Sequence, residues 1–242
     1  MKTLRLFGLL ISLMGSALVA PAWAGNSVLI WPIDPKIPSG DKATELWLEN
    51  RGEDTTLMQV RVFTWQQING QEQYQTQQTV VASPPLVRIE PGKKQLVRLI
   101  NQTPPPAGKE VAYRVLLDEI PTPQTPGKDQ AGLNFQMRYS VPLFTYGEGL
   151  SSDSAKPDLS WQTVSQDGQD GHSAIRITNN GSGHARLSKV SLGSRILSNS
   201  LFGYVLAGSS NTFPLNFPAS NSSELSAQLE NNKSWRSTGS SQ

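Results

Sequence analysis

Residues Leu133 to Val141 alternate strictly between apolar and polar side chains. Successive side chains of an extended strand point to opposite sides. Leu133, Phe135, Met137, Tyr139 and Val141 therefore form one apolar face, with Asn134, Gln136, Arg138 and Ser140 on the other. Such a row of large apolar groups needs a cover, supplied either by the chain's own core or by another molecule. The preceding segment, Pro121 to Gly132, is rich in Pro and Gly and predicts a long loop.

The same period of two recurs along the chain. Leu46 and Leu48 share one side of Thr44–Glu49. Met58, Val60 and Val62 lie opposite Arg61, Phe63 and Trp65, and extended stretches follow at Val80–Ile89, Gln95–Ile100 and Val111–Ile120. Breaks fall at Pro84-Pro85, Pro91-Gly92 and Pro104–Pro106. A second set covers Leu159–Val164, Ser173–Thr178, Ala185–Leu192 and Leu201–Leu206, with Asn179-Asn180-Gly181 and Ala207-Gly208 predicting turns of positive φ. The Ser- and Asn-rich tail, Ser220 to Gln242, adds one or two short strands. No window holds a helical apolar stripe for three turns, so the fold class is all-β, built of sandwiches. Gly147–Pro157 contains almost nothing apolar and reads as a connector. The expected division is 25–148, a linker at 149–157, and 158–242.

The first 24 residues carry a basic start at Lys2 and Arg5, an apolar run from Leu6 to Ala20, and the small-x-small pattern Ala22-Trp23-Ala24. This predicts a cleaved export signal rather than a membrane anchor, with Gly25 as the first mature residue. Lys2 and Arg5 are two of the 21 Lys and Arg, so residues 25–242 hold 19 basic against 19 acidic side chains. That balance offers nothing to a nucleic acid. With no Cys there are no disulfides, and stability must come from hydrophobic cores.

Little chemistry of catalysis is present. His172 and His184 both follow a glycine in turn-like sequence and read as solvated loop residues, a poor basis for a metal site. Gly147-Glu148-Gly149 lacks the third glycine of a dinucleotide fingerprint, and no G-x-S-x-G elbow or P-loop occurs. The expectation is a non-enzyme without cofactor or metal.

Several segments in order carry a family resemblance. They are Leu29–Ile37 followed by Ser39-Gly40, Leu48-Glu49-Asn50, Arg61–Trp65, Ser83-Pro84-Pro85, Pro91-Gly92, Val97-Arg98-Leu99, Tyr113-Arg114, Asp118–Pro121, Gln136–Phe144 and Phe202–Leu206. Together they resemble the periplasmic chaperones of the chaperone–usher pilus pathway, nearest to the archaic branch that serves Csu-type pili. The resemblance implies two immunoglobulin-like domains in an L, pilin subunits and an outer-membrane usher as partners, and a periplasmic location. It also implies donor-strand complementation, in which a chaperone strand completes the open sandwich of a pilin by strand addition. The donor strand would span about Gly132 to Phe144. Leu133, Phe135 and Met137 would fill subunit pockets, with Tyr139 continuing that face nearer the chaperone's own core.

Better-known family members hold the subunit's terminal carboxylate with an Arg on the first strand and a Lys on the last N-domain strand. Here Pro142 stands at the Lys position and Asp34 near the Arg position. The replacement cation of first choice is Arg114, which interrupts the apolar run Val111–Leu117, with Lys36 and Arg138 as further candidates. A structural pair of Arg114 with Asp118 or Glu119 is the alternative. Two rival functions remain on the sequence alone: a pilus subunit or adhesin, and an exported carbohydrate- or metal-binding β-module using its dispersed Trp residues. An exposed apolar edge also predicts transient self-association.

Overall fold

The computed structural model describes residues 28–121, 136–165 and 173–239. The predicted export signal, Leu133, Phe135 and His172 lie outside the described residues. The first ten strands are β1 (Val28–Trp31), β2 (Lys36–Ile37), β3 (Ala43–Asn50), β4 (Thr56–Ile68), β5 (Gln71–Thr76), β6 (Val80–Ser83), β7 (Leu86–Ile89), β8 (Lys94–Asn101), β9 (Glu110–Ile120) and β10 (Arg138–Tyr146). They form two facing sheets, one ordered β1-β3-β8-β6 and the other β2-β10-β9-β4-β5, with β7 also paired to β4. Between them Leu46, Leu48, Met58, Val60, Val97, Leu99, Val115, Leu117 and Leu143 pack into one core, each on the alternate position its strand turns inward.

The second sandwich uses β11 (Leu159–Ser165), β12 (Ser173–Asn179), β13 (Ala185–Leu192), β14 (Arg195–Val205), β15 (Ser209–Pro214), β16 (Glu224–Gln228) and β17 (Ser234–Thr238). Its sheets run β11-β12-β15 and β14-β13-β16-β17 around Trp161, Ile175, Ile177, Leu187, Val190 and Val205. The indole of Trp161 donates to the carbonyl of Ser237 at 2.9 Å, so the largest fully buried side chain of this second core leaves no polar atom unpaired.

The turn after β12 is not built as its sequence predicts. Gly208 has positive φ, but Asn179, Asn180 and Gly181 do not. The fully buried Asn179 side chain shapes the turn instead. Its Nδ2 donates to the carbonyls of Gly183 and Val205, and its Oδ1 accepts from the backbone N–H of Gly181 and Asp158. Glycine is needed at 181 for space, since a Cβ would sit 2.2 Å from the Lys156 carbonyl.

A third apolar cluster joins the two sandwiches: Trp65, Ala112, Phe144, Tyr146 and Leu150 pack against Tyr204 and Leu206. β4 changes its buried side to make this contact. Even positions Met58 and Val60 enter the first core, whereas odd positions Trp65 and Gln67 are buried on the opposite face. Residues 149–157 are held close here by Leu150 and by a Ser151–Ala155 backbone turn. Polar groups complete the joint. Gln67 Nε2 donates to the Tyr204 carbonyl at 2.8 Å, while its Oε1 accepts from the Leu206 N–H at 2.9 Å. At the β4–β5 turn, Asn69 and Gly70 both have positive φ, as a two-residue hairpin turn requires. The Gly70 carbonyl there accepts from the Thr212 N–H of β15.

Two outcomes follow. Asn179→Ala orphans two carbonyls and two N–H groups at about 1–3 kcal/mol for each that water fails to reach, so a loss of about 2–4 kcal/mol is expected in urea unfolding of the mature chain. Gln67→Ala leaves the Tyr204 carbonyl with its second donor, Asn211 Nδ2, but strips the Leu206 N–H. A loss of about 1–3 kcal/mol is therefore expected, read by calorimetry.

Candidate functional site

β10 carries the distinctive geometry. Along its whole length it pairs antiparallel with β9, from Arg138 opposite Asp118 to Tyr146 opposite Glu110. On its other side the two-residue β2 pairs only with Phe144 and Thr145. Residues 138–143 thus present an edge that no strand pairs among the described residues. Unsatisfied strand edges of this kind are templates for another chain.

The side chains of β10 divide as period two demands. Val141 and Leu143 are buried in the first core, and Tyr139 is half-buried against it with its hydroxyl accepting from the Val28 N–H at 3.3 Å. Phe144 and Tyr146 face the second sandwich. Met137, just before the strand, is 41% exposed although its backbone already pairs with Glu119, the Glu119 N–H donating to the Met137 carbonyl at 3.0 Å. Met137 is therefore an apolar group held in strand register outside any core.

Beside this edge, one sheet face passes from closed to open. The rows across β4, β9 and β10 are Phe63–Arg114–Pro142, then Arg61–Leu116–Ser140, then Gln59–Asp118–Arg138. Arg114 stands where the joint between the sandwiches ends and the open wall begins. Its guanidinium carbon lies 3.7 Å from the Trp65 ring centroid and 5.3 Å from that of Tyr204. Stacking on aromatic faces stabilises a cation by about 0.5–2 kcal/mol and holds its plane fixed. Among the described residues no carboxylate forms an ion pair with Arg114, and its buried Nε has no acceptor. Trp65 Nε1, also buried, has none either.

Tyr74, on the neighbouring β5, donates to Glu72. Partial burial, the hydrogen bond to Glu72 and that residue's charge push its phenol up to about 12 against the opposing pull of Arg114. It is a neutral donor at physiological pH.

The other charged candidates are occupied. Arg138 pairs with Asp118, which also takes Arg61 at 2.6 Å. Burial raises the Asp118 carboxyl, but the hydrogen bonds from the two arginines outweigh it and hold the group below its ordinary range. Asp118 is thus engaged away from Arg114, and Glu119 accepts from Thr56 Oγ1 and the Met137 N–H. Lys36 lies 3.9 Å from Glu230.

His184 is a correction to the sequence reading. It is buried, not solvated, because the turn after β12 is pressed against β9 and β10. Nothing in its local sequence distinguishes it from a surface turn. The dispersal expected of the Trp residues is also incomplete, since Trp31 and Trp47 stack on the outer face of the first sheet with ring centroids 6.3 Å apart and Lys94 over Trp31. Among the described residues no cluster of three or more His, Asp or Glu could hold a metal, and no helix is long and apolar enough to cross a membrane.

Comparison with known proteins agrees with this geometry. Residues 36–151 match the family model for the pili and flagellar-assembly chaperone, PapD N-terminal domain. The chaperone CsuC of Acinetobacter baumannii, solved in a pre-assembly complex with the tip adhesion subunit CsuE of archaic chaperone–usher Csu pili, is 35% identical at a TM-score of 0.75, covering 89% of this chain and 100% of that one. The Pseudomonas aeruginosa chaperone CupB2 aligns at a TM-score of 0.60 with 17% identity over 88% of this chain and 100% of that one. A chain of the Salmonella enterica SafA pilin–SafB chaperone complex aligns at 0.63 with 16% identity, over 88% and 96%. These last two bear on the fold alone. A search of the curated proteins finds no match. At 35% identity across the full length of a chaperone of known structure, with the N-terminal family model matched through β10, the chain belongs to the pilus-assembly chaperone family.

Proposed function

We propose that this chaperone captures incomplete pilin subunits with the open edge of β10 and the segment leading into it, and passes them to an outer-membrane usher. The observation that carries the reading is the edge itself, unpaired among the described residues over 138–143 and led by an exposed Met137 already in register. A pilin lacking its last strand offers complementary backbone edges and an open apolar groove. Leu133, Phe135 and Met137 would enter that groove. Each large apolar side chain buried contributes roughly 1.5–3 kcal/mol, enough in sum to favour the complex over the open groove. Tyr139 is the transition residue, half inside the chaperone's own core.

Arg114 is the anchor for the subunit's terminal carboxylate. Its support is a cation without a carboxylate partner among the described residues, set rigidly by Trp65 and Tyr204 at the boundary of the open wall. A planar guanidinium there can take both carboxylate oxygens and so set register as well as affinity. Lys36 and Arg138 are secondary, because each is already turned to an acidic neighbour. The working unit consists of two domains, 25–148 and 158–242, joined through 149–157. Residues 1–24 direct it through the inner membrane to the periplasm and are then cleaved, and it acts without catalysis or a cofactor.

Two experiments test these roles. Met137→Asp and Phe135→Asp should each abolish recovery of a co-expressed pilin in pull-down while leaving the chaperone's circular dichroism and thermal midpoint unchanged; normal recovery overturns the donor-strand role. Arg114→Ala should weaken capture about 10- to 100-fold, the range set by about 1.5–3 kcal/mol for hydrogen bonds to a charged group. Arg114→Lys should fail to restore it, since an ammonium neither stacks nor forks; unchanged affinity in either variant rejects the anchor.

A further inference from the structure

The joint between the sandwiches contains an ionisable chain that the capture mechanism above leaves unused. Glu110 opens β9, and its side chain is 2% exposed; the His184 side chain, from the second sandwich, is 4% exposed. Both carboxylate oxygens of Glu110 are taken by that one residue. Oε1 accepts from the His184 backbone N–H at 2.8 Å, and Oε2 lies 2.9 Å from Nδ1. The imidazole lies flat on Phe144 of β10, with ring centroids 3.5 Å apart and planes 1° from parallel. Its Nε2 is buried without a hydrogen-bond partner and stands 3.7 Å from Glu230, in the 3-10 turn Glu230–Asn232. Glu230 in turn faces Lys36 of β2. The path runs from the first sandwich to the second and back.

We propose that His184 is a positioning residue for subunit capture: as an imidazolium it latches the second sandwich onto the base of β10 through Glu110, Glu230 and Phe144. This rests on the chaperone reading of β10. The chemistry of the ring makes the latch conditional. When both nitrogens carry protons, each points a donor at a carboxylate. When the ring is neutral and Nδ1–H serves Glu110, Nε2 turns a lone pair toward the negative Glu230. Proton loss therefore converts one attraction into a repulsion inside a packed joint.

The surroundings favour the charged form. Burial alone would lower the imidazole, but its hydrogen bond to Glu110 and the nearby charges of Glu110 and Glu230 raise it overall. Glu230 is lowered, chiefly by the close approach of His184 and against its own burial. Other groups frame the pair. Tyr146 of β10 is held protonated by burial and by the nearby Glu110, with Asp34 adding to the effect. Arg186 of β13 and Lys36 act on Glu230 from either side. Lys156 and Lys233 line the shallow cleft outside it.

The signs of the two shifts fix the working range. A raised imidazole stabilises the joint fully below its unfolded value of about 6.5 and loses that contribution as pH rises through the folded value. A depressed Glu230 stabilises above its unfolded value of about 4.3 and fails as pH falls through the folded one. Both charges coexist between these limits, so the hold is strongest in mildly acidic to neutral solution.

The test uses the free mature chain. The His184 imidazole is titrated by NMR while residual dipolar couplings report the angle between the sandwiches and hydrogen exchange reports protection factors of β10 amides. The angle and the protection should change with the midpoint of the imidazole, protection falling up to about tenfold for each unit by which that midpoint exceeds 6.5. His184→Gln should remove the alkaline transition, and Glu230→Gln should remove the acid one and weaken the alkaline one, since Nε2 then faces no charge. An angle and a protection pattern that stay constant through the imidazole titration, or an unchanged transition in His184→Gln, overturn the proposal. Neither readout involves a pilin, so failure of the capture reading in the Met137 and Arg114 variants is separable from failure here.

Discussion

A β-strand has two faces and two edges, and β10 commits three of these four surfaces to the protein itself. One face sends Val141 and Leu143 into the first core, the other sends Phe144 and Tyr146 into the joint between sandwiches, and one edge is zipped to β9. What remains is an edge unpaired among the described residues over six positions. Exposed edges are ordinarily hazards that proteins cover or blunt. Here the edge is presented by a strand that cannot shift, because a one-residue slip would move Val141 and Leu143 out of the core and Phe144 out of the joint. Rigidity on three sides is what would let the fourth serve, in the capture proposed above, as a template in a defined register.

The joint sustains that arrangement by mixing interactions of different reach. Trp65, Phe144, Tyr204 and Leu206 supply non-directional burial. Gln67 adds direction, its amide answering a carbonyl and an N–H of the second sandwich as a neighbouring strand would. Gly70 permits the β4–β5 tip to approach β15 so closely that a Cβ would meet Thr212 Oγ1 at 2.1 Å. Around this the charged members are disposed at the margins, with Arg114 on the open side and Glu110–His184–Glu230 on the other.

Much of the strand order is legible in the sequence, since alternation and Pro/Gly breaks are local signals. Thr44–Glu49 and Val111–Ile120 fall inside β3 and β9, and the Ser-rich tail contains β16 and β17. β5 escapes such a reading because every residue of Gln71–Thr76 is exposed and an apolar pattern has nothing to register; the Asn69-Gly70 dipeptide is the one local sign of its hairpin. Arg114 is visible as a charge breaking an apolar run, yet its stacking on Trp65 depends on a strand pairing that no local pattern contains. His184 is the extreme case. Its burial is created by residues distant in the chain, chiefly Phe144 and Glu110, about 40 and 74 positions away.

The length of β4 has a mechanical consequence. Over 13 residues it pairs with β7 at its start, β9 through its middle and β5 at its end, and its turn touches β15. A force along the β4 axis would load many ladder bonds at once, in shear. The same force directed outward at the joint would meet Gln67 and Gly70 one after another, as in peeling. By this bonding pattern β4 resists a load along its own axis more than one that opens the joint at Gln67 and Gly70.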